Sequence, residues 1–189
     1  AGYFTALEEM DFQIGRLIEW LERKNLREDT LIVFMSDNGM NMCHHGIIGK
    51  GNATWPQNMF DTSVKVPCLM SRPGYVPENE VNTDLLSQYD WLPTLMEYIG
   101  EAKYTPTDLP GCSFAPVLSG EAIKGERSIY VYDEYGPVRM IRSKDWKLVW
   151  RYPGGPHELY NISKDPNEAV KLFNTSGYAD LINSLLSEL

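Results

Sequence analysis

Ser36-Asp37-Asn38-Gly39 is the segment of this chain best equipped for chemistry. A carboxylate and an amide oxygen side by side are hard donors, suited to Ca2+ and poorly suited to Zn2+, which favours nitrogen and sulfur. Asp-Asn-Gly is also good turn material, so the tetrapeptide by itself reads first as a turn. His44, His45 and Lys50 follow in the same stretch. A cation on Lys50 could hold an anionic ester, and His45 could donate a hydrogen bond to it or protonate a leaving group. Each of these residues taken alone suits a solvated loop equally well. Cys43-His44-His45 makes a poor zinc cluster, because consecutive side chains project in different directions.

Such groups need a rigid strand end to stand on. Residues 30–35 (Thr-Leu-Ile-Val-Phe-Met) form a short apolar run without alternation. That pattern suits a strand covered on both faces, as in parallel sheets. Ligand sites in open α/β sheets lie beyond the carboxyl ends of strands, which is where Asp37 and Asn38 fall. Upstream, Leu7, Met10, Ile14, Leu17, Ile18 and Leu21 recur at helical spacing and predict a helix with one buried face, ending near Asn25. Residues 36–63 show no period and read as a long loop of the functional kind. Residues 66–70 predict a second strand, stopped by Arg72-Pro73-Gly74. Asp90 is placed to cap a helix running to Ile99, with Pro93 in its first turn and Gly100 just past its end.

An irregular connection over residues 101–127 then changes the character of the chain. Residues 128–133, 138–142 and 146–150 are short β-rich runs separated by turn residues, which predicts an antiparallel meander. Leu181, Ile182, Leu185, Leu186 and Leu189 predict a terminal helix. The expected division is therefore residues 1–124 and residues 125–189. The tail aromatics (Tyr130, Tyr132, Trp146, Trp150 and Tyr160 among them) read as core or cross-strand pairs rather than a carbohydrate platform. His157 reads as a surface loop residue.

A net charge of −9 argues against general nucleic-acid or anionic-membrane partners, which need a basic face. It leaves room for a small anionic substrate, since a cation and a few lysines reverse the field locally. No apolar run approaches the roughly 20 residues of a membrane span, and the first residues lack a signal-peptide pattern. Cys43, Cys68 and Cys112 are scattered and imply no disulfide framework.

The order of motifs is more specific than any one of them. A strand, Ser36-Asp37-Asn38-Gly39, His45-Gly46, Gly49-Lys50-Gly51, Val66-Pro67 and Arg72-Pro73-Gly74 are followed by Asp90-Trp91-Leu92-Pro93-Thr94-Leu95 and Gly111-Cys112-Ser113. Pro116-Val117-Leu118, Trp146-Lys147, Glu158-Leu159-Tyr160-Asn161 and Asp165-Pro166-Asn167-Glu168 complete the series. In this order the chain resembles the C-terminal portion of sulfatases, members of the alkaline-phosphatase-like superfamily. The resemblance implies an α/β fold: the C-terminal part of an alkaline-phosphatase-like sandwich, with a small C-terminal antiparallel sheet plus helix. It also implies one Ca2+ beside a formylglycine, whose hydrated aldehyde attacks a sulfate ester. By position Asp37 and Asn38 then look like calcium ligands, Lys50 like the lysine on the sulfate oxygens, and His45 like an active-site histidine.

The family's modification motif, Cys or Ser-x-Pro or Ala-x-Arg, is not found in this chain. Cys68-Leu69-Met70-Ser71-Arg72 comes close, but Met70 stands where Pro or Ala is required, so Cys68 reads as a packing residue on a buried strand. Two ligands also leave calcium short of the roughly six to eight oxygens it takes. The expectation is a sulfatase part that contributes half of a site. The nucleophile and further carboxylates would come from an N-terminal half of the same protein, and the isolated chain would be inactive. The expected substrate is a sulfate ester, with carbohydrate sulfate as the class, and the family favours a periplasmic or extracellular location. A phosphoryl or phosphonate hydrolase of the same superfamily is one alternative, although Asn38 stands where those enzymes often carry histidine. A non-catalytic remnant is the other.

Overall fold

The computed structural model describes residues 2–123 and 125–189. Helix α1 (Gly2–Arg23) leads into strand β1 (Ile32–Met35). The expected buried face of α1 is mostly uncovered: Leu21 is buried, whereas Leu7, Met10 and Leu17 are exposed. Strand β1 has one neighbour among the described residues, β4 (Cys68–Ser71), and the pair is antiparallel, with Ile32 opposite Ser71 and Met35 opposite Cys68. The expectation of a strand covered on both faces therefore fails for this chain. A single antiparallel neighbour leaves every residue of β1 half-buried.

The stretch between them is not a plain loop. It holds a small antiparallel pair, β2 (Asn41–Met42) with β3 (Ile48–Gly49), and a single helical turn, α2 (Asp61–Val64). Beyond β4, a tight turn over Gln88–Asp90 leads into helix α3 (Trp91–Tyr98). Ser87 caps this turn, and its backbone N–H donates to the Asp90 carboxylate in return (2.7 Å). Asp90 is thus the reciprocal partner of a capping box rather than the cap itself. It is fully buried and also accepts from Cys112 N (2.9 Å) and Arg127 Nη2 (2.9 Å), which ties three segments together. A short helix α4 (Ala115–Leu118) follows.

The C-terminal part is a four-stranded antiparallel meander in sequence order: β5 (Ile129–Tyr132), β6 (Val138–Arg142), β7 (Trp146–Arg151) and β8 (Glu158–Asn161). Strand β8 was not apparent from pattern because its ends are polar. Alternation sorts the two faces. Ile141, Leu148 and Leu159 pack against Leu185 of helix α5 (Ala179–Glu188). Val138, Met140 and Val149 pack against Met59, far back in the chain. The sheet therefore grips its own helix on one face and the segment before α2 on the other.

His157 is fixed on this sheet instead of lying free at the surface. Its ring stacks on Trp150 (3.5 Å, 7°), and Nδ1 accepts the Arg151 N–H (3.1 Å). Desolvation, reinforced by the Arg151 charge, holds its pKa below the ordinary imidazole value of 6.5. A depressed folded value means that the unfolded chain takes up the proton first. Stability is thus full above about pH 6.5 and falls as pH drops through the lower folded value. Thermal unfolding from pH 7.5 to 5 should show that fall, and His157→Phe, which keeps the stack but cannot titrate, should remove its contribution.

Candidate active site

Asp37 and Asn38 lie just past the carboxyl end of β1, where the apolar run and the turn residues after it place them. Asp37 Oδ1 accepts from the Asn38 N–H (2.9 Å) and from Ser36 Oγ (3.3 Å), and among the described residues Oδ2 has no hydrogen-bond donor. Asn38 Nδ2 donates to the Gly39 carbonyl (2.9 Å). Asp37 Oδ2 and Asn38 Oδ1 thus carry no hydrogen bond among the described residues. As hard donors with one negative charge between them, they fit a calcium ion as partial ligands. Among the described residues no cluster of three or more His, Cys, Asp or Glu side chains could hold a metal, so these two do not complete a site.

The turn is pinned to α2. Gly39 N donates to the Ser63 carbonyl (2.9 Å), and a Cβ at Gly39 would come within 2.3 Å of the Thr62 carbonyl oxygen. Only glycine admits so close a backbone approach.

The loop carrying Lys50 hangs on the same helical turn. Asn41, Asn58 and Ser63 are buried and form a relay in which Asn41 Nδ2 donates to Ser63 Oγ (2.6 Å) and Ser63 Oγ donates to Asn58 Oδ1 (2.6 Å). Asn58 then offers both its backbone N–H (2.9 Å) and Nδ2 (3.0 Å) to the Gly51 carbonyl. A fully satisfied buried network of this kind rigidifies what it touches. Lys50 itself is exposed, and among the described residues its ammonium has no ion-pair partner. His45 is exposed and left-handed (φ 54°), and its ring stacks on Phe60, the residue preceding α2 (3.7 Å, 7°). A non-glycine residue held in this region stores strain that persists only where surroundings enforce it. His44 is used differently: its Nδ1 accepts the Met42 N–H (3.2 Å).

Helix α2 is anchored in turn by the tail. Lys147, fully buried, donates to the Met59 carbonyl (3.0 Å), to Glu168 Oε1 (2.6 Å) and to Asp61 Oδ1. Glu168 Oε2 accepts the Asp61 N–H (2.6 Å), and burial raises the Glu168 carboxyl pKa against the opposing pull of Lys147. Four residues along β7, Arg151 donates to the Gln57 carbonyl (3.2 Å) and pairs with Glu158 (3.0 Å). None of these supporting residues was singled out as functional from sequence. Lys147, Glu158 and Glu168 stood in the ordered motif series, but nothing in their spacing marked them as partners of α2.

Cys68 departs from expectation. It is exposed on β4 rather than packed, because the described residues leave that face of the β1–β4 pair uncovered. Desolvation of its sulfur raises the thiol pKa, which is the wrong direction for a nucleophile.

The sulfatase family profile matches residues 1–101, and that of N-sulphoglucosamine sulphohydrolase, C-terminal, matches residues 54–189. The chain belongs to the sulfatase family, with its alkaline-phosphatase-like α/β fold. It is 27% identical to an N-acetylglucosamine-6-O-sulfatase of Bacteroides thetaiotaomicron, over 99% of this chain and 34% of that protein. It is 30% identical to a choline-sulfatase of Rhizobium meliloti, over 90% of this chain and 32% of that one. The chain thus spans about a third of the length of these relatives. A solved structure in complex with its substrate D-glucosamine-2-N,6-O-disulfate superposes with TM-score 0.80 at 25% identity, over 95% of this chain and 37% of that one. The phosphonate monoester hydrolase of Agrobacterium radiobacter does so with TM-score 0.77 at 26% identity, over 96% of this chain and 38% of its own. Among the described residues no helix is long and apolar enough to cross a membrane.

Proposed function

We propose that this chain is the C-terminal part of a calcium-dependent sulfuric ester hydrolase, and that it supplies Asp37 and Asn38 to the cation and Lys50 and His45 to the sulfate. The observation that carries the reading is the common anchorage of the Asp37 turn and the Lys50 loop on α2. Family membership and the donor set support it. A bound calcium ion contributes positive charge that neutralises the sulfate oxygens and polarises sulfur toward attack. Lys50 adds a second cation on the same oxygens, and with no ion-pair partner among the described residues it stays available. His45, oriented by its stack on Phe60, donates a hydrogen bond to the ester or a proton to the leaving alcohol. The nucleophile and the remaining calcium ligands come from elsewhere in the intact enzyme, so these 189 residues alone turn over no ester.

The substrate class that best fits the named relatives is a sulfated carbohydrate, and the family favours a periplasmic or extracellular setting. Residues 1–124 and 125–189 are proposed as catalytic-domain part and C-terminal subdomain. The division falls beside Lys124, which lies outside the described residues. Likeness to the phosphonate hydrolase keeps a second activity in view, but an amide at position 38 favours calcium over the transition metals that imidazole suits.

Calorimetry with Ca2+ tests the reading. The intact protein is expected to bind one ion, Asp37→Ala and Asn38→Ala to weaken or abolish that binding, and the 189-residue chain alone to bind poorly. In parallel, the intact protein should prefer a sulfate ester over a phosphonate monoester. Tight stoichiometric binding by the isolated chain would falsify the shared site, and a phosphonate preference would favour the second activity.

A further inference from the structure

Two carbonyl oxygens flanking the Asp37 side chain are held from outside the turn. Gln88 Nε2 donates to the Ser36 carbonyl (3.1 Å) and to the Asp37 carbonyl (3.0 Å). The Gln88 side chain is exposed, so it fills no space in the core. Its backbone, however, stands on one of the firmest points of the molecule. The Gln88–Asp90 turn is closed by the Ser87 capping box, and the buried Asp90 carboxylate binds Ser87 N, Cys112 N and Arg127.

The geometry has a direct consequence for the site. Fixing the carbonyls of residues 36 and 37 fixes the peptide planes on both sides of Asp37, and with them the direction in which Asp37 and Asn38 present their oxygens. The turn's own bonds, Ser36 Oγ to the Asn38 carbonyl (2.9 Å) and Asn38 N–H to Asp37 Oδ1 (2.9 Å), are internal and move with it. Gly39 N to the Ser63 carbonyl holds the turn from its far side. Gln88 holds it from the strand side.

We propose that Gln88 is a positioning residue that presets Asp37 and Asn38 for the cation; this rests on their reading as calcium ligands. A carbonyl clamp of this kind acts through the backbone of the ligands and touches neither ion nor ester. Outer-shell partners of metal ligands are typically worth 10–100-fold in affinity.

The test uses the intact protein. Gln88→Met keeps the side-chain length and removes both donors, and Gln88→Glu keeps the shape but turns oxygen toward two carbonyls. Calcium titration by calorimetry should show affinity reduced about tenfold in Gln88→Met and further in Gln88→Glu. The thermal midpoint of the metal-free protein should stay at the wild-type value in both. Asp37→Ala serves as the reference and should abolish binding. Wild-type affinity in both Gln88 variants, with binding lost in Asp37→Ala, overturns the role of Gln88 alone. Unchanged binding in Asp37→Ala overturns the calcium reading and this inference together. A lowered metal-free midpoint that accounts for the weaker binding also overturns it, because Gln88 would then be a general strap.

Discussion

Lys147→Ala is expected to destabilise the protein by about 3–5 kcal/mol, the range for stripping one partner from a buried ion pair. Lys147 is fully buried and is the only cation in contact with both Asp61 and Glu168 among the described residues. Its removal leaves Glu168, itself buried, with the Asp61 N–H but no opposing charge. The stranded carboxyl must then take up a proton or draw water inward, and burial already favours the protonated form. Urea unfolding of Lys147→Ala and of the double variant Lys147→Met/Glu168→Leu separates charge from packing. The double variant should recover a large part of the loss, since a buried pair replaced by apolar groups is often close to neutral. Equal destabilisation in the two would show that packing volume, not the stranded charge, governs this contact.

Lys50→Ala is expected to lower kcat/KM of the intact enzyme for a sulfate ester by about 10²–10³-fold, the effect of deleting one preorganised group that meets developing charge. The change should not be structural. Lys50 is exposed and its ammonium has no ion-pair partner among the described residues, and the buried relay grips the loop by backbone carbonyls. Thermal midpoint and calcium affinity should therefore match the wild type. Lys50→Arg should restore only part of the rate, because a planar guanidinium offers its donors in a fixed fork where the ammonium turns freely. A loss under tenfold in Lys50→Ala, measured under subsaturating substrate, would remove Lys50 from the sulfate site.

The frame of the site was legible because it depends on local signals. An apolar run ending in Ser-Asp-Asn-Gly marks a strand end and a turn whatever the rest of the chain does, and short β-rich runs between turn residues mark the meander. The supports were not legible, for a physical reason. Asn41, Asn58 and Ser63 lie in an aperiodic polar stretch that reads as solvated, yet all three are buried. Whether such residues are buried depends on partners far away: Asp61 meets Glu168 across 107 positions, and Gln88 reaches Ser36 across 52. The opposite error occurred at Cys68 and on α1, where apolar patterns promised burial and the chain itself does not cover them. Hydrophobic pattern states what a face prefers and does not name what lies over it.

The dependence of α2 on Glu168 bears on the order in which the protein matures. Asp61 and Met59 take their partners from β7 and from the turn at Glu168, near the end of the chain. Contacts so distant in sequence pay their loop-closure entropy late, and synthesis proceeds from the N-terminus. A nascent chain emerging from the ribosome can close the Ser87 capping box and form the Gln88 clamp while the meander is still being made. It cannot lock the turn that carries the Lys50 loop until residue 168 has cleared the exit tunnel. Because the Asp37 turn and the Lys50 loop both hang on α2, a premature stop ahead of Glu168 loosens the two together.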